Sequence, residues 1–215
     1  MRGRFITFEG PEGCGKSTQV RRLMARLAAE GLQVISAREP GGTPTGEIIR
    51  DILQNDLTKE AICPETEVLL FAASRAQIVR HRIEPALQAG TWVVCDRFMD
   101  STTAYQGYGR GFDVERMIEI NAFAVGKTVP DLTFLLDLDV DTSLTRMRAR
   151  NAGRNQVQDR FEREERGFHA RVRNGYLVMA QRWPERFRVI PGDRAEDAVA
   201  ADIWRAVAAL RGQAA

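Results

Sequence analysis

A predicted strand, a glycine-rich run and a predicted helix follow one another directly at the start of this chain. Residues 4–9 (RFITFE) predict the strand, residues 10–17 are GPEGCGKS, and residues 18–30 carry apolar side chains on one helical face. In this context a glycine-rich turn points successive backbone N–H groups inward, and the helix start adds partial positive charge. The sequence therefore predicts a loop that binds the phosphates of a nucleoside triphosphate.

The residue types within this loop suit that chemistry. Glycines at positions 10, 13 and 15 let the backbone bend and approach the phosphate oxygens closely. Lys16 supplies a mobile cation for the β- and γ-phosphates, and the Ser17 hydroxyl is a predicted Mg²⁺ ligand. With both flanking elements in place, a chance glycine turn is the weaker interpretation.

Length and composition predict a single domain that spans residues 1–215. A chain of 215 residues that is 44% hydrophobic can bury a sizeable core. Its 31 basic and 29 acidic residues nearly cancel, which argues against bulk nucleic-acid binding. No stretch approaches the ~20 apolar residues of a membrane helix, and no apolar signal segment precedes the first strand, so we expect a cytoplasmic protein with no membrane partner. Three cysteines at unrelated spacings fit neither a disulfide framework nor a zinc site.

Five apolar runs alternate with longer helical patterns along the chain. This spacing predicts an α/β fold with a five-stranded parallel sheet and helices on both faces. Ligands of such sheets gather at the carboxyl ends of the strands, so functional motifs should follow the strands directly. The predicted strands are Phe5–Glu9, Gln33–Ala37, Thr91–Cys95, Leu132–Leu138 and Phe187–Ile190.

Polar motifs do follow the second and third predicted strands. Residues 38–43 (REPGGT) form a rigid polar turn, and Asp96 and Arg97 end the third strand. An aspartate there can hold the water shell of Mg²⁺, and an arginine can clamp a phosphate, although an ion pair at a strand end is the alternative. Phe71 and Arg75, four residues apart on a predicted helix, could stack on a planar base and bind its edge. A core phenylalanine beside a solvated arginine would explain the same spacing.

A basic segment in the second half of the chain predicts a mobile lid at about residues 148–160. Small and polar residues at positions 151, 153, 155 and 156 interrupt the helical pattern there. Arginines that arrive when a lid closes can stabilise the charge of phosphoryl transfer and exclude water. A solvated basic helix is the alternative. The arginines are Arg146, Arg148, Arg150, Arg154 and Arg160.

Together these motifs resemble the bacterial thymidylate kinases, and the resemblance covers almost the whole chain. The most specific match is Asp96-Arg97 followed by residues 101–106 (STTAYQ). The resemblance implies a P-loop kinase fold and Mg²⁺-dependent transfer of the ATP γ-phosphoryl group to dTMP, giving dTDP and ADP in dTTP biosynthesis. It also implies a homodimer, for which the apolar surplus on the predicted helices around residues 63–89 and 113–125 offers a surface.

The resemblance implies a role for each matching residue. Phe71 would stack on thymine, Arg75 would reach the base carbonyl O4, and Arg97 would bind the acceptor phosphate. Tyr105 would crowd the sugar 2′ position, and Glu12 would bind the 3′-hydroxyl. The implied acceptor site comprises Glu39, Pro40, Leu53, Phe71, Arg75, Arg97, Ser101, Thr102, Tyr105 and Gln106. The implied ATP site comprises Gly10, Pro11, Glu12, Gly13, Cys14, Gly15, Lys16, Ser17 and Thr18, with Mg²⁺ at Ser17 and Asp96.

The catalytic arginine of this family comes from either the phosphate loop or the lid. Here the loop offers Glu12 and no arginine, so the resemblance implies a lid arginine. Arg160 is preferred because residues 159–162 (DRFE) match the family's lid ending, and Arg150 and Arg154 follow. The implied catalytic set is Lys16, Glu12, Arg97, Arg150, Arg154 and Arg160. No protein nucleophile or general base is expected, because the attacking oxygen belongs to a phosphate that is already ionised.

Other classes that use a phosphate loop fit the sequence less well. A kinase of the same fold that acts on dUMP, another nucleotide or a metabolite is the nearest competitor, and Phe71, Arg75 and Tyr105 argue against it. A regulatory GTPase needs an Asn-Lys-x-Asp motif, which is absent from the sequence. A motor or helicase would pair an acidic doublet with its metal strand, whereas Asp96 is followed by arginine. A non-catalytic scaffold would not need the lid arginines.

Overall fold

Five parallel strands form the centre of the structure, a computed structural model that describes residues 2–55, 60–154 and 160–212. The strand order in the sheet is β2-β3-β1-β4-β5, and every neighbouring pair is parallel. The predicted five-stranded parallel sheet is therefore confirmed. The strands are β1 (Phe5–Glu9), β2 (Val34–Arg38), β3 (Trp92–Asp96), β4 (Leu132–Asp137) and β5 (Phe187–Pro191).

Helices connect the strands, and two of the connections contain wider π-helical segments. One segment, Val79–Ile83, joins α3 to α4, and the other, Thr103–Gly109, extends α5. Within the described residues the helices are α1 (Lys16–Ala29), α2 (Pro44–Gln54), α3 (Pro64–Ile78), α4 (Glu84–Gln88), α5 (Met99–Thr102), α6 (Val114–Val125), α7 (Val140–Arg154), α8 (Arg166–Arg182) and α9 (Glu196–Gly212).

Apolar side chains project from both faces of the sheet, because successive strand residues point in opposite directions. Phe8 and Phe134 lie on one face, with ring centroids 5.2 Å apart, and this layer packs against α1 and α9. Phe5 and Val93 lie on the other face and pack against the α3–α4 segment. The sheet is thus covered on both sides, as the prediction requires.

The register of the central strands gathers the predicted motifs at the carboxyl edge of the sheet. Phe8 lies opposite Asp96 on β3, and Asp96 lies opposite Arg38 on β2. The loop after β1, the turn after β2 and the turn after β3 are therefore neighbours, although they are far apart in sequence.

Helix α7 corrects one expectation about the lid. Residues 151 and 153 were expected to interrupt the helix, but α7 continues through both to Arg154. A glycine in a helix costs only about 1 kcal/mol relative to alanine. The Asn151 side chain is held by tertiary structure, because its amide donates to Glu162 Oε2 at 2.8 Å. The predicted lid residues 155–159 lie outside the described part of the chain. In that described part, no helix is long and apolar enough to cross a membrane.

The different burial of two strand valines predicts a clear difference in their contributions to stability. Val94 on β3 is completely buried, whereas Val189 on β5 is 45% exposed. We expect Val94→Ala to lower the free energy of unfolding by about 2 kcal/mol, through lost apolar burial and a cavity. Val189→Ala should change it by less than about 0.5 kcal/mol. Urea denaturation of both variants checks this, and equal losses would contradict the packing described above.

Candidate active site

The phosphate loop wraps closely around the start of α1. Gly10 and Gly13 have φ angles of +133° and +71°, in the region that favours glycine. A Cβ atom on Gly10 would lie 2.4 Å from the carbonyl oxygen of Leu136, so the loop is also sterically closed to larger residues. The Lys16 ammonium donates to the carbonyls of Gly10 (3.1 Å) and Pro11 (2.8 Å). The cation is thus held directly inside its own loop.

The structure brings together Ser17 and Asp96, the two residues that the sequence predicts as metal ligands. The Ser17 hydroxyl donates to Asp96 Oδ2 at 2.7 Å. Mg²⁺ prefers oxygen ligands and is commonly held by one or two protein groups while phosphates and waters complete its shell. This pair of oxygens fits such a site. Among the described residues, no cluster of three or more His, Cys, Asp or Glu side chains could hold a metal ion.

Arg97 adopts an unusual backbone conformation and reaches both sides of the site. Its φ angle is +65°, a region that non-glycine residues rarely occupy. Its guanidinium donates to the Gly10 carbonyl (3.1 Å) and to the Tyr105 hydroxyl (3.1 Å), and it forms an ion pair with Glu12. Burial alone would raise the pKa of Glu12, but the charges of Arg97, Lys16 and Arg150 hold it well below its ordinary value. Glu12 is therefore an anion throughout the physiological range.

One cavity of about 930 Å³ joins these groups along the carboxyl edge of the sheet. It extends from the phosphate loop to Phe71, so a donor and an acceptor could lie end to end in it. Of the predicted site residues, its lining includes Glu12, Gly13, Gly15, Lys16, Ser17, Thr18, Glu39, Pro40, Phe71, Asp96, Arg97, Ser101, Thr102, Tyr105, Gln106 and Arg150. Its lining does not include Gly10, Pro11, Cys14, Leu53, Arg75 or Arg160.

Arg75 lies behind the cavity wall and not in solvent. It is 1% exposed, and it contacts Glu39 Oε2 at 2.6 Å and donates to Asn121 Oδ1 at 2.6 Å. It also donates to the Thr102 hydroxyl at 3.0 Å. The alternative of a solvated arginine beside a core phenylalanine is therefore wrong, since Arg75 is buried and Phe71 faces the cavity. Leu53 is fully buried behind the lining residues.

Two of the three predicted catalytic lid arginines have side chains that the structure describes, and their partners differ. Arg150 lies 3.4 Å from Glu12 Oε2 and also pairs with Glu162. Arg160 instead pairs with Glu67 of α3. Phe161, next to Arg160, lines the cavity, with its ring centroid 5.8 Å from that of Phe71. The side chain of Arg154 lies outside the described part of the chain.

Comparisons with known proteins point to one family. A family model described as thymidylate kinase matches residues 8–203. A thymidylate kinase from Pelotomaculum thermopropionicum is 49% identical over 206 residues, which cover 96% of this chain and 93% of that protein. One from Thermomicrobium roseum is 50% identical over 203 residues, 94% of this chain and 93% of that protein.

The chain belongs to the thymidylate kinase family. The crystal structure of thymidylate kinase from Ehrlichia chaffeensis superposes with a TM-score of 0.75 at 31% identity, covering 96% of this chain and 99% of that one. The predicted family, the predicted P-loop kinase fold and the prediction of a kinase are confirmed.

Several groups at this thymidylate kinase site were missed by the sequence reasoning. Arg38, Arg50 and Arg163 line the cavity and add positive charge to it. Glu67 is buried and accepts hydrogen bonds from Gln106 at 2.8 Å and from Arg110 at 2.9 Å. For most of these groups, no local sequence pattern indicates a place in the site. Glu9 was also missed, and its position, an acid directly after an apolar strand like Asp96, could have identified it.

Glu9 makes the stability of the thymidylate kinase fold depend on pH. Burial raises the pKa of Glu9 from 4.5 to about 7; the charge of Asp100 adds to the rise, and that of Arg97 opposes it. The folded chain therefore binds a proton that the unfolded chain has released above pH 4.5. We expect this residue to lower the free energy of unfolding by about 3 kcal/mol as the pH rises from 4.5 to 7.

Denaturant titrations at several pH values between 4.5 and 8 measure this contribution. Glu9→Gln lacks the titrating group, so its unfolding free energy should fall less with pH than that of the wild type. Glu185→Gln, at an exposed carboxyl group, is the matched control and should keep the wild-type slope. Equal slopes in all three proteins would contradict the assignment.

Proposed function

We propose that the cavity is where this chain carries out its family's reaction, the ATP-dependent phosphorylation of dTMP to dTDP. The position of Arg97 carries the proposal. Its guanidinium contacts the phosphate loop at Gly10 and the opposite wall at Tyr105. A phosphate bound there would lie between the donor's phosphates and a base on Phe71.

The donor end of the cavity suits the phosphates of ATP. The backbone N–H groups of the loop and the start of α1 favour anions, and Lys16 adds a full positive charge. Ser17 and Asp96 would hold Mg²⁺, which supplies positive charge to the phosphate oxygens when it is bound. Dependence on Mg²⁺ and a cytoplasmic location belong to the same proposal.

The acceptor end suits a pyrimidine nucleotide. The Phe71 ring would stack on thymine. Because the Thr102 hydroxyl accepts a hydrogen bond from Arg75, its own proton is available to a base carbonyl. Arg75 would thus act on the base edge together with Thr102. The Tyr105 ring, held from the other side by Arg97, would close the space at the sugar 2′ position, and Glu12 would accept from the 3′-hydroxyl.

Transfer between the two ends requires alignment and charge stabilisation more than covalent chemistry. Arg97 would position the acceptor phosphate, whose oxygen attacks the γ-phosphorus in line. Arg150 both lines the cavity and contacts Glu12 of the phosphate loop. We therefore propose Arg150, in place of Arg160, as the lid arginine that stabilises the transferring group.

Two substitutions distinguish these lid arginines. Arg150→Ala should lower kcat by about 100-fold or more, as expected when a group that stabilises transition-state charge is removed. Arg160→Ala should weaken the contact of the lid with Glu67 and reduce kcat less. Arg205→Ala, at an exposed position on α9 outside the cavity lining, is the matched control and should keep the wild-type kcat. A coupled assay of ADP release with dTMP measures all three, and a larger loss for Arg160→Ala would restore the choice that the resemblance implied.

The same proposal includes a homodimer formed through α3 and α6. Leu69 on α3 is 61% exposed and Phe123 on α6 is 90% exposed, which is unusual for large apolar side chains. A two-fold interface would bury both on each subunit.

Placing a charge in this interface should separate the subunits. We expect the wild type to have twice the 24.1 kDa mass of one chain in light scattering, and Phe123→Asp to approach the mass of one chain. Val178→Asp, at a position on α8 that is 37% exposed, should leave the dimer intact. A single-chain mass for the wild type at micromolar concentration would contradict the homodimer.

A further inference from the structure

We propose that Glu9 is a positioning residue for the acceptor phosphate, because it orients the two hydroxyl groups that hold the guanidinium of Arg97. The inference rests on the proposed role of Arg97 and deepens it. Glu9 ends β1 and is completely buried. Its hydrogen bonds in the described structure do not involve Lys16 or the predicted metal ligands Ser17 and Asp96.

Both carboxylate oxygens of Glu9 accept hydrogen bonds. Oε1 accepts from the backbone N–H of Phe98 at 2.7 Å. Oε2 accepts from the Ser101 hydroxyl at 2.6 Å and from the Tyr176 hydroxyl at 2.9 Å. These donors come from the turn after β3, from α5 and from α8, so one carboxylate joins three separate segments around Arg97.

The same two hydroxyl groups accept hydrogen bonds from Arg97. Its Nη1 lies 3.2 Å from Ser101 Oγ and 3.2 Å from the Tyr176 oxygen. A hydroxyl has one proton, and a guanidinium can only donate. The two hydroxyl oxygens also lie 2.9 Å apart. Because both hydroxyl protons are donated to Glu9 Oε2, neither hydroxyl donates to the other, and the donors run from Arg97 through both hydroxyls to Glu9.

A carboxylate is the only common side chain of this size that satisfies all three donors. In Glu9→Gln, an amide oxygen turned towards the hydroxyls would place the NH₂ group against the Phe98 N–H. The opposite orientation would make the amide donate to the hydroxyls, whose protons would then point at Arg97. Either arrangement leaves donors facing donors in a buried site, which is costly.

Glu9 also acts on the backbone of Arg97. The Phe98 N–H that it binds follows directly after the residue with φ of +65°, so the carboxylate holds the strained turn as well as the side chain. The nearby carboxylate of Asp100 has a different partner, because Arg186 binds both of its oxygens at 2.7 and 2.8 Å. Of these two carboxylates, Glu9 is thus the one that binds the hydroxyl groups around Arg97.

Separate binding measurements for the two substrates test the proposal. Titration calorimetry on the full chain at pH 8, above the pKa of Glu9 of about 7, gives the Kd for dTMP and the Kd for ATP. We expect Glu9→Gln to raise the Kd for dTMP roughly tenfold or more and to leave that for ATP within about twofold, because the lost bonds act through a charged group. Tyr176→Phe should raise the Kd for dTMP less.

A double-mutant cycle separates positioning from a general loss of structure. If Glu9 acts through the hydroxyls, the effect of Glu9→Gln on dTMP binding should be smaller in the Tyr176→Phe background, so the two effects do not multiply. Fully multiplicative effects, or equal weakening of dTMP and ATP binding, would overturn the proposal. Should Glu9→Gln fail to fold, Tyr176→Phe alone decides: it must weaken dTMP binding without weakening ATP binding.

Arg97→Met distinguishes a failure of this inference from a failure of the proposed function. If Arg97→Met binds dTMP like the wild type, the role of Arg97 is wrong and the positioning role falls with it. If Arg97→Met weakens dTMP binding and Glu9→Gln does not, only the positioning role is overturned.

Discussion

The guanidinium of Arg97 is the interaction on which the rest of the site depends. A buried cation is costly unless each of its donors has a partner, and arginine has five donors in a rigid plane. The partners of Arg97 come from the phosphate loop, the π-helical segment after α5, and α8, up to 87 residues away in sequence. These hydrogen bonds of Arg97 therefore form only when β1, β3, the segment after β3 and α8 have all reached their final positions. The site and the fold are completed by the same bonds.

Buried and partly buried acids are distributed around this edge of the sheet, each with its own partners. Glu12 faces Arg97 and Arg150, Glu39 faces Arg75, and Glu67 faces Arg110 and Arg160. Removing one member of such a pair leaves an uncompensated charge, which is more damaging than the pair is stabilising. The near-zero net charge of the whole chain thus hides a locally dense and balanced set of charges. This balance explains why a strongly basic cavity does not make the protein strongly basic.

Sequence reasoning was most reliable where structure depends on neighbours in the chain. The five strands and the loop at residues 10–17 follow from local patterns of apolar residues and glycines, and the structure agrees with them. The lid was harder, because the continuation of α7 through Asn151 depends on Glu162, which no periodic pattern reveals. Likewise, nothing near Arg160 indicates that its partner is Glu67, which is 93 residues earlier in the chain. The burial of Arg75 also depends on partners from three other segments.

The ring of Phe161 belongs to two parts of the site at once. It follows Arg160 in the segment after α7, and it packs against both Phe71 and Tyr105, at centroid distances of 5.8 and 6.0 Å. A planar base stacked on Phe71 would therefore also lie beside Phe161, so the segment after α7 contributes apolar surface to the acceptor end of the cavity. Because Arg160, the neighbour of Phe161 in sequence, pairs with Glu67 of α3, this short segment is anchored by one side chain and completes the cavity wall with the next.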